Sequence, residues 1–312
     1  MLHPSLSSRI PLLAQAFARR EPFRHVLIDD FFAEDFLARV LAEFPDFDQG
    51  NARNEAGELG HKSTVERIRE LGPAFAELDQ QIQSRGFLDL ISAITGIPDL
   101  LYDPHYFGGG THENRPGQDL DAHVDFNRHP INGWHRRLNL IVYLNPEWDD
   151  AWGGSLELHS DPRSEHDQVT VITPLMNRAV IFETTEWSWH GFSRIAPPAE
   201  RQRLSRRSIA LYFYSRERPE EELAQPHSTI YVDRPVDCPL QAGHTLSADD
   251  AEQIRIALAR RDQHVQRLYG DITRLTSELD STKQHLDRIV KSGLSGHLRR
   301  LARRLLNTLS RN

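Results

Sequence analysis

Two histidines and an aspartate in this chain have the types and spacing to hold a metal ion. In "LDAHVDFNRHP", residues 120–130, His123 and Asp125 stand one residue apart. On an extended strand such residues point to one side, and Val124 and Phe126 point to the other. A third ligand type, His190, sits further along in the apolar run "WSWHGFSRI". Two imidazoles and one carboxylate leave up to three coordination positions open, which is what a metal that must admit reactants requires. Alone, the His-x-Asp triplet fits a hydrogen-bonded structural histidine on a polar strand equally well. Imidazoles bind metal only when neutral, so at the ordinary histidine pKa the affinity of such a site is expected to fall below about pH 6.5.

Other chemistries find less support. The single cysteine, Cys238, rules out an intrachain disulfide and a thiolate zinc site. No nucleophile elbow is present, and Cys238 lies outside the region that carries the candidate ligands. A net charge of −8 argues against nucleic acid as the main partner, since phosphate binding needs clustered cations. The start, "MLHPSLSSRIPLLAQAFARR", is interrupted by Arg9 and Pro11 where a signal peptide would be continuously apolar. A cytoplasmic protein is therefore expected.

The elements that must position the ligands can be read from the texture of the chain. From residue 100 come short β-rich runs separated by turn residues: "LLYDPHYF", "DAHVDF", "RLNLIVYLN", "GSLELHS", "VTVITP", "RAVIFE", "SWHGFSRI" and "RRSIALYFYS". Such spacing predicts a barrel or a two-sheet jelly roll. Before it, residues 5–20 have helical periodicity, "FRHVLIDDFF" reads as a strand and "AEDFLARVLAEF" as an amphipathic helix. A polar loop from about 45 to 63 follows, then one or two helices closing at Gly96-Ile97-Pro98. The expected fold class is α+β: a double-stranded β-helix (jelly-roll, cupin-like) core over 100–217, helical support over 1–99, and a proline-containing linker over 218–246.

Beyond the linker, Ser247 can cap a helix. Ile254, Leu258, Arg261, Val265, Leu268, Ile272, Leu275, Leu279, Thr282, Leu286 and Ile289 then alternate steps of four and three. That is a heptad seam, so residues 247–292 are expected to form a coiled coil and pair two copies of the chain; a single helix lying on the β domain is the other reading. Residues 293–312 carry Arg299, Arg300, Arg303, Arg304 and Arg311 without an acidic residue, a basic amphipathic tail suited to an anionic membrane surface or an acidic partner.

The ordered series "HVD", "RRLNLIVYLN", "WGGSLEL", "VITPLMNRAVIFE", "WHGF" and "RRSIALYFY" resembles the iron(II)/2-oxoglutarate-dependent oxygenases, in their prolyl-4-hydroxylase-like branch. The resemblance covers about residues 100–216. It implies His123, Asp125 and His190 as iron ligands, with 2-oxoglutarate and O2 as cosubstrates and ascorbate as an auxiliary reductant. It also implies an arginine at the head of the last core strand, gripping the distal carboxylate of 2-oxoglutarate by its guanidinium fork. Arg206 and Arg207 compete for that place. Arg207 shares its face with Ile209, Leu211 and Phe213, which are expected to line the barrel, so Arg207 is the expected grip, with Arg203 and Arg206 as solvated surface charges. Tyr143 matches a tyrosine that touches the same carboxylate in relatives, Asn139 is a weaker cosubstrate candidate, and Ser208 an accessory one.

The implied reaction is hydroxylation of an unactivated C–H bond, with 2-oxoglutarate decarboxylated to succinate and CO2; halogenating relatives lack the carboxylate ligand that Asp125 supplies here. Peptidyl proline, an amino acid or an envelope saccharide stand open as substrate. From other classes, a cupin-like sugar isomerase, a metal-dependent binding protein and a catalytically idle coiled-coil adaptor also remain open. Trp134, in the loop after the His-x-Asp strand, could wall a substrate pocket, and "FGGGTHENRPGQ" reads as a loop that could close over it. His112, His129 and His135 are expected to be surface or supporting residues.

Overall fold

The computed structural model describes residues 1–18, 21–53, 59–232 and 240–292. Two compact units divide the chain, Met1–Arg234 and Pro235–Asn312. The first contains α1 (Leu6–Phe17), β1 (His25–Ile28), α2 (Glu34–Ala42), β2 (Asn51–Arg53), β3 (Leu59–Val65), α3 (Pro73–Ile82), α4 (Arg85–Thr95) and β4 (Leu101–Tyr102). There follow β5 (Gly110–Asn114), β6 (Leu120–Val124), β7 (His135–Tyr143), β8 (Leu156–His159), β9 (Val169–Ile172), β10 (Ala179–Glu183), β11 (Trp189–Phe192), β12 (Arg206–Ser215) and β13 (Ile230–Val232). The second unit contains α5 (Ala248–Ser292).

Strands β5 to β12 are shared between two antiparallel sheets. The major sheet runs β1-β10-β7-β12-β5-β3-β2 with β4 beside β12, and the minor sheet runs β13-β6-β11-β8-β9. This interleaving is the double-stranded β-helix expected from the strand spacing. All eight expected runs form strands, but three further stretches do as well. The polar segment taken as a loop supplies β2 and β3. The glycine-rich "FGGGTHENRPGQ" contains β5, which is paired on both sides and is not a mobile loop. There Gly110 has φ 90°, and a β-carbon would meet the Val65 carbonyl oxygen at 2.0 Å, so only glycine passes. The expected linker from 218 also folds back, as far as β13 on the edge of the minor sheet.

The major sheet has two different faces, and this decides where chemistry can occur. Leu138, Leu140, Val142, Ala179, Ile181, Ile209, Leu211 and Phe213 pack in one cluster with α1 to α4, through Leu13, Phe36, Phe75 and Ile91. The opposite face, with Tyr143, Val180 and Phe182, meets Leu156 and Leu158 of the minor sheet. The apolar side of β12 therefore faces the helices and not the space between the sheets.

Helix α5 is continuous over 45 residues. Ser247 and Asp250 cap it reciprocally: the Asp250 N–H donates to Ser247 Oγ at 3.1 Å and the Ser247 N–H to Asp250 Oδ2 at 2.9 Å. Leu258, Val265, Leu268, Ile272, Leu275, Leu279, Leu286 and Ile289 lie about half exposed along it. The basic tail expected at 293–312 lies outside the described residues. None of the described helices is long and apolar enough to cross a membrane.

Asn177 ties the N-terminal segment to the turn before β10. Its Oδ1 accepts from the Phe32 N–H and its Nδ2 donates to the Phe32 carbonyl, both at 2.9 Å, and its φ of 59° suits asparagine. Asn177→Ala strands two buried backbone groups and places alanine in the left-handed region, an expected loss of about 2–4 kcal/mol in denaturant unfolding. An unchanged unfolding midpoint would show that this clamp contributes nothing.

Candidate metal centre and cosubstrate pocket

Strand pairing brings the three expected ligands together. β6 and β11 are antiparallel neighbours with His123 directly opposite His190, so both imidazoles leave the minor sheet on its inner face, with ring centroids 4.2 Å apart. Asp125 follows β6 on the same side. His123 Nε2 lies 3.7 Å from Asp125 Oδ1, and His190 Nε2 lies 3.6 Å from Asp125 Oδ2. One ligand atom from each residue lies within 4.8 Å of the other two, the only such group of three among the described residues.

Each imidazole is oriented by the same device. Nδ1–H of His123 donates to the Asp121 carbonyl and Nδ1–H of His190 to that of Ser188, each two residues back and each at 2.9 Å. This fixes the tautomer that leaves Nε2 as the free lone pair, and Phe182 packs on the His190 ring with centroids 4.7 Å apart. Burial, with His190 beside it, pushes the His123 pKa down to about 3, and burial also lowers that of His190. Burial opposes the charge on Asp125, but Arg136 and then the two imidazoles overcome it and hold the carboxyl well below its usual range. Two neutral nitrogen donors and an ionised oxygen donor, all buried, fit a divalent iron ion.

Arg136 is the residue that sequence reasoning missed. It is fully buried, its guanidinium lies 3.1 Å from Asp125 Oδ2, and it stacks on Tyr212 at 3.6 Å and Phe126 at 4.4 Å. Asn139, a cosubstrate candidate from the sequence, joins the same cluster. It donates to Asp125 Oδ2 at 2.8 Å and accepts from Arg136 at 2.9 and 3.1 Å, so its place is behind the metal ligand. Simple alternation from Asn139 would bring Arg137 to this face. A bulge opposite Phe213 and Tyr214 brings Arg136 there, which is why strand periodicity could not find it.

The arginine of the last strand requires a correction. Arg206, expected at the surface, is 5% exposed, whereas the side chain of Arg207, expected in the pocket, is 39% exposed. Arg207 lies on the helix side of β12, over the Phe44 ring and 3.4 Å from Glu113. The expectation failed because the apolar face of β12 belongs to the helix-packed core. Arg206 points between the sheets, donating to the Gly154 carbonyl at 2.6 Å and to the Tyr143 hydroxyl at 3.3 Å, against the Phe192 ring at 4.3 Å. Among the described residues no carboxylate lies within ion-pair range of it. Tyr143 is fully buried with its hydroxyl beside Arg206, and Ser208 shares the inner face with Arg206.

The remaining candidates are structural. His129 is buried, with Nε2–H donating to Asp103 at 3.1 Å and Nδ1 accepting from the Ile131 and Asn132 amides. His112 donates to the Gly108 carbonyl at 3.2 Å, and His135 opens β7. Trp134 packs near His129, and its carbonyl accepts the His129 amide.

Residues 109–214 match the family model of the 2OG-Fe(II) oxygenase superfamily. The β core of this chain is thus similar to the 2OG-Fe(II) oxygenase superfamily over about a third of the chain's length, and that superfamily's cofactor set is iron(II), 2-oxoglutarate and O2. Over 219 residues the chain is 28% identical to prolyl 3-hydroxylase OGFOD1 of Mus musculus, an alignment covering 67% of this chain and 36% of that protein. It thus spans about a third of that relative's length. Among solved structures, a Trichoplax adhaerens prolyl hydroxylase bound to a hypoxia-inducible-factor peptide superposes with a TM-score of 0.49 at 16% identity, covering 68% of this chain and 92% of that one. A Pseudomonas putida prolyl-4-hydroxylase gives 0.43 at 17%, covering 68% and 100%.

The depressed histidine pKa values correct the pH dependence expected from sequence. Imidazoles of ordinary pKa would cost a two-histidine site roughly 50- to 100-fold in affinity between pH 7 and 5.5. With the His123 pKa lowered to about 3 and that of His190 lowered as well, less of the neutral ligand form is lost, so Mn(II) affinity measured by calorimetry is expected to change less than about fivefold over it. A fall approaching 50-fold would contradict the assigned environment.

Proposed function

We propose that this protein is an iron(II)- and 2-oxoglutarate-dependent dioxygenase that hydroxylates a prolyl residue of a peptide. The observation that carries the cosubstrate is Arg206, a buried cation whose described partners are a carbonyl and a phenol. A charge kept in such surroundings is costly unless an anion meets it. The distal carboxylate of 2-oxoglutarate is the anion that the oxygenase family supplies. An isomerase or a binding protein would not need this cation. Peptidyl proline is favoured over an amino acid or a saccharide by the likeness to a prolyl 3-hydroxylase.

When bound, iron and 2-oxoglutarate supply the oxidising chemistry: one oxygen atom of O2 enters a C–H bond, and the other leaves in succinate as CO2 is lost. The chain's own groups do the positioning. His123, Asp125 and His190 would hold the ion, and Arg136 and Asn139 keep Asp125 ionised and fixed in rotation. Arg206 and Tyr143 would orient the distal carboxylate, and the buried Phe192 beside Arg206 and Phe182 and Leu158 beside Tyr143 lower the local polarity, so that those charges act strongly. A cytoplasmic setting belongs to the same proposal and is supported by the lone Cys238.

Aerobic incubation with Fe(II), 2-oxoglutarate and proline-containing peptides should release succinate, and His190→Ala should abolish the release. Arg206→Ala should raise the KM for 2-oxoglutarate at least about 10-fold through loss of a charge-assisted pair, with Arg207→Ala within about twofold of wild type. The reverse order of the two arginine variants would overturn the pocket assignment.

We also propose that a second copy of this chain covers the apolar stripe of α5. Its support is the unbroken four-three seam together with Glu278 and Lys283, which stand where a parallel pair sets opposite charges across the interface. Light scattering should give twice the chain mass for wild type and a monomer for Leu268→Asp/Leu275→Asp; a monomeric wild type would refute the pairing.

A further inference from the structure

The oxygenase family match ends at residue 214, yet the chain continues and adds a strand to the sheet that carries the candidate iron ligands. Arg218 donates to the carbonyls of Arg136 and Thr184 at 3.1 and 2.9 Å, and Asn127 Nδ2 donates to the Gln225 carbonyl at 2.9 Å. The His227 amide donates to Asn127 Oδ1 at 3.1 Å, and the His227 ring lies 2.9 Å from Glu186. These anchors fall just after the His123–Asp125 stretch and just before His190. The segment then becomes β13, antiparallel to β6.

The register of β13 carries the inference. Tyr231 stands directly opposite His123, which stands directly opposite His190. The three side chains form one row across three strands on the inner face. The Tyr231 ring stacks on the His123 ring, with centroids 5.1 Å apart and an interplanar angle of 29°. Without β13, β6 would be the edge of the minor sheet, with its outer backbone groups and the flank of His123 open to water. The Asp121 carbonyl fixes one point of the His123 ring and leaves it free to swing about that hydrogen bond. His190 limits the swing on one side and Tyr231 on the other.

We propose that Tyr231 is a positioning residue of the metal centre, holding the imidazole plane of His123 for coordination, and that the functional oxygenase unit therefore extends through β13. This rests on the metal-site reading above. Its consequences appear in metal binding itself, before any turnover. A cross-strand ring that orients a ligand acts as the outer partners of metal-bound histidines do, whose loss typically costs about 10–100-fold in affinity.

The test is calorimetric titration of Mn(II) into the full-length protein. Tyr231→Phe keeps the stacked ring and should bind within about threefold of wild type, whereas Tyr231→Ala should bind at least about 10-fold more weakly. Ile230→Ser, on the opposite face of the same strand, should match wild type and so separate ring stacking from strand integrity. Should Tyr231→Ala not fold, Tyr231→Leu keeps an apolar side chain without the aromatic face and should show the same weakening. Wild-type affinity in the alanine or leucine variant, or equal weakening in the phenylalanine variant, overturns the proposal. Absence of Mn(II) binding by the wild-type protein overturns the metal-site reading itself, and this inference with it.

Discussion

A carboxylate kept ionised in the interior is the interaction on which this site depends. Asp125 is buried, and burial alone would favour its neutral form, which is a poor metal ligand. Arg136 prevents this by standing beside it, itself enclosed between Tyr212 and Phe126. Asn139 links the two, accepting from the arginine and donating to the carboxylate. Removing any one member leaves a buried group without its partner, so the cluster stands or falls as a unit. The open site can therefore present a charged ligand beside two neutral ones before any metal arrives.

That cluster can exist only because the major sheet separates two interiors. Its outer face meets four helices through a cluster of aliphatic and aromatic side chains. Its inner face alternates in register with the outer one and so can carry Arg206, Ser208 and Tyr212 from β12 opposite Tyr143 and Asn139 from β7. The hydrophobic layer supplies the stability; the inner layer is then free to hold the polar groups that iron and a dicarboxylate require. The minor sheet contributes the histidines, and its neighbouring strands β6 and β11 set them opposite one another.

Much of this was legible in the sequence, for identifiable reasons. His123 and Asp125 were readable because a period of two is local, and His190 because it interrupts an apolar run. The strands from "DAHVDF" to "RRSIALYFYS" were marked by β-branched and aromatic residues between turn residues. What was not legible depends on tertiary context. Arg207 was favoured over Arg206 on the premise that the apolar face lines the barrel, but the helices claim that face. Arg136 is brought in by a bulge that no alternation rule reveals. β3 and β5 read as loops because polar and glycine residues dominate them, and only their pairing with each other and with β12 makes them strands. β13 is three residues long, shorter than any periodicity can register.

The most direct test of the account is anaerobic addition of Fe(II) and then 2-oxoglutarate to the purified protein, followed by visible absorption. The three ligands leave adjacent positions that a 2-oxo acid can chelate, so the account predicts a weak metal-to-ligand charge-transfer band that needs both components and is lost in His123→Ala. Iron that binds at His123, Asp125 and His190 without producing the band on addition of 2-oxoglutarate would contradict it.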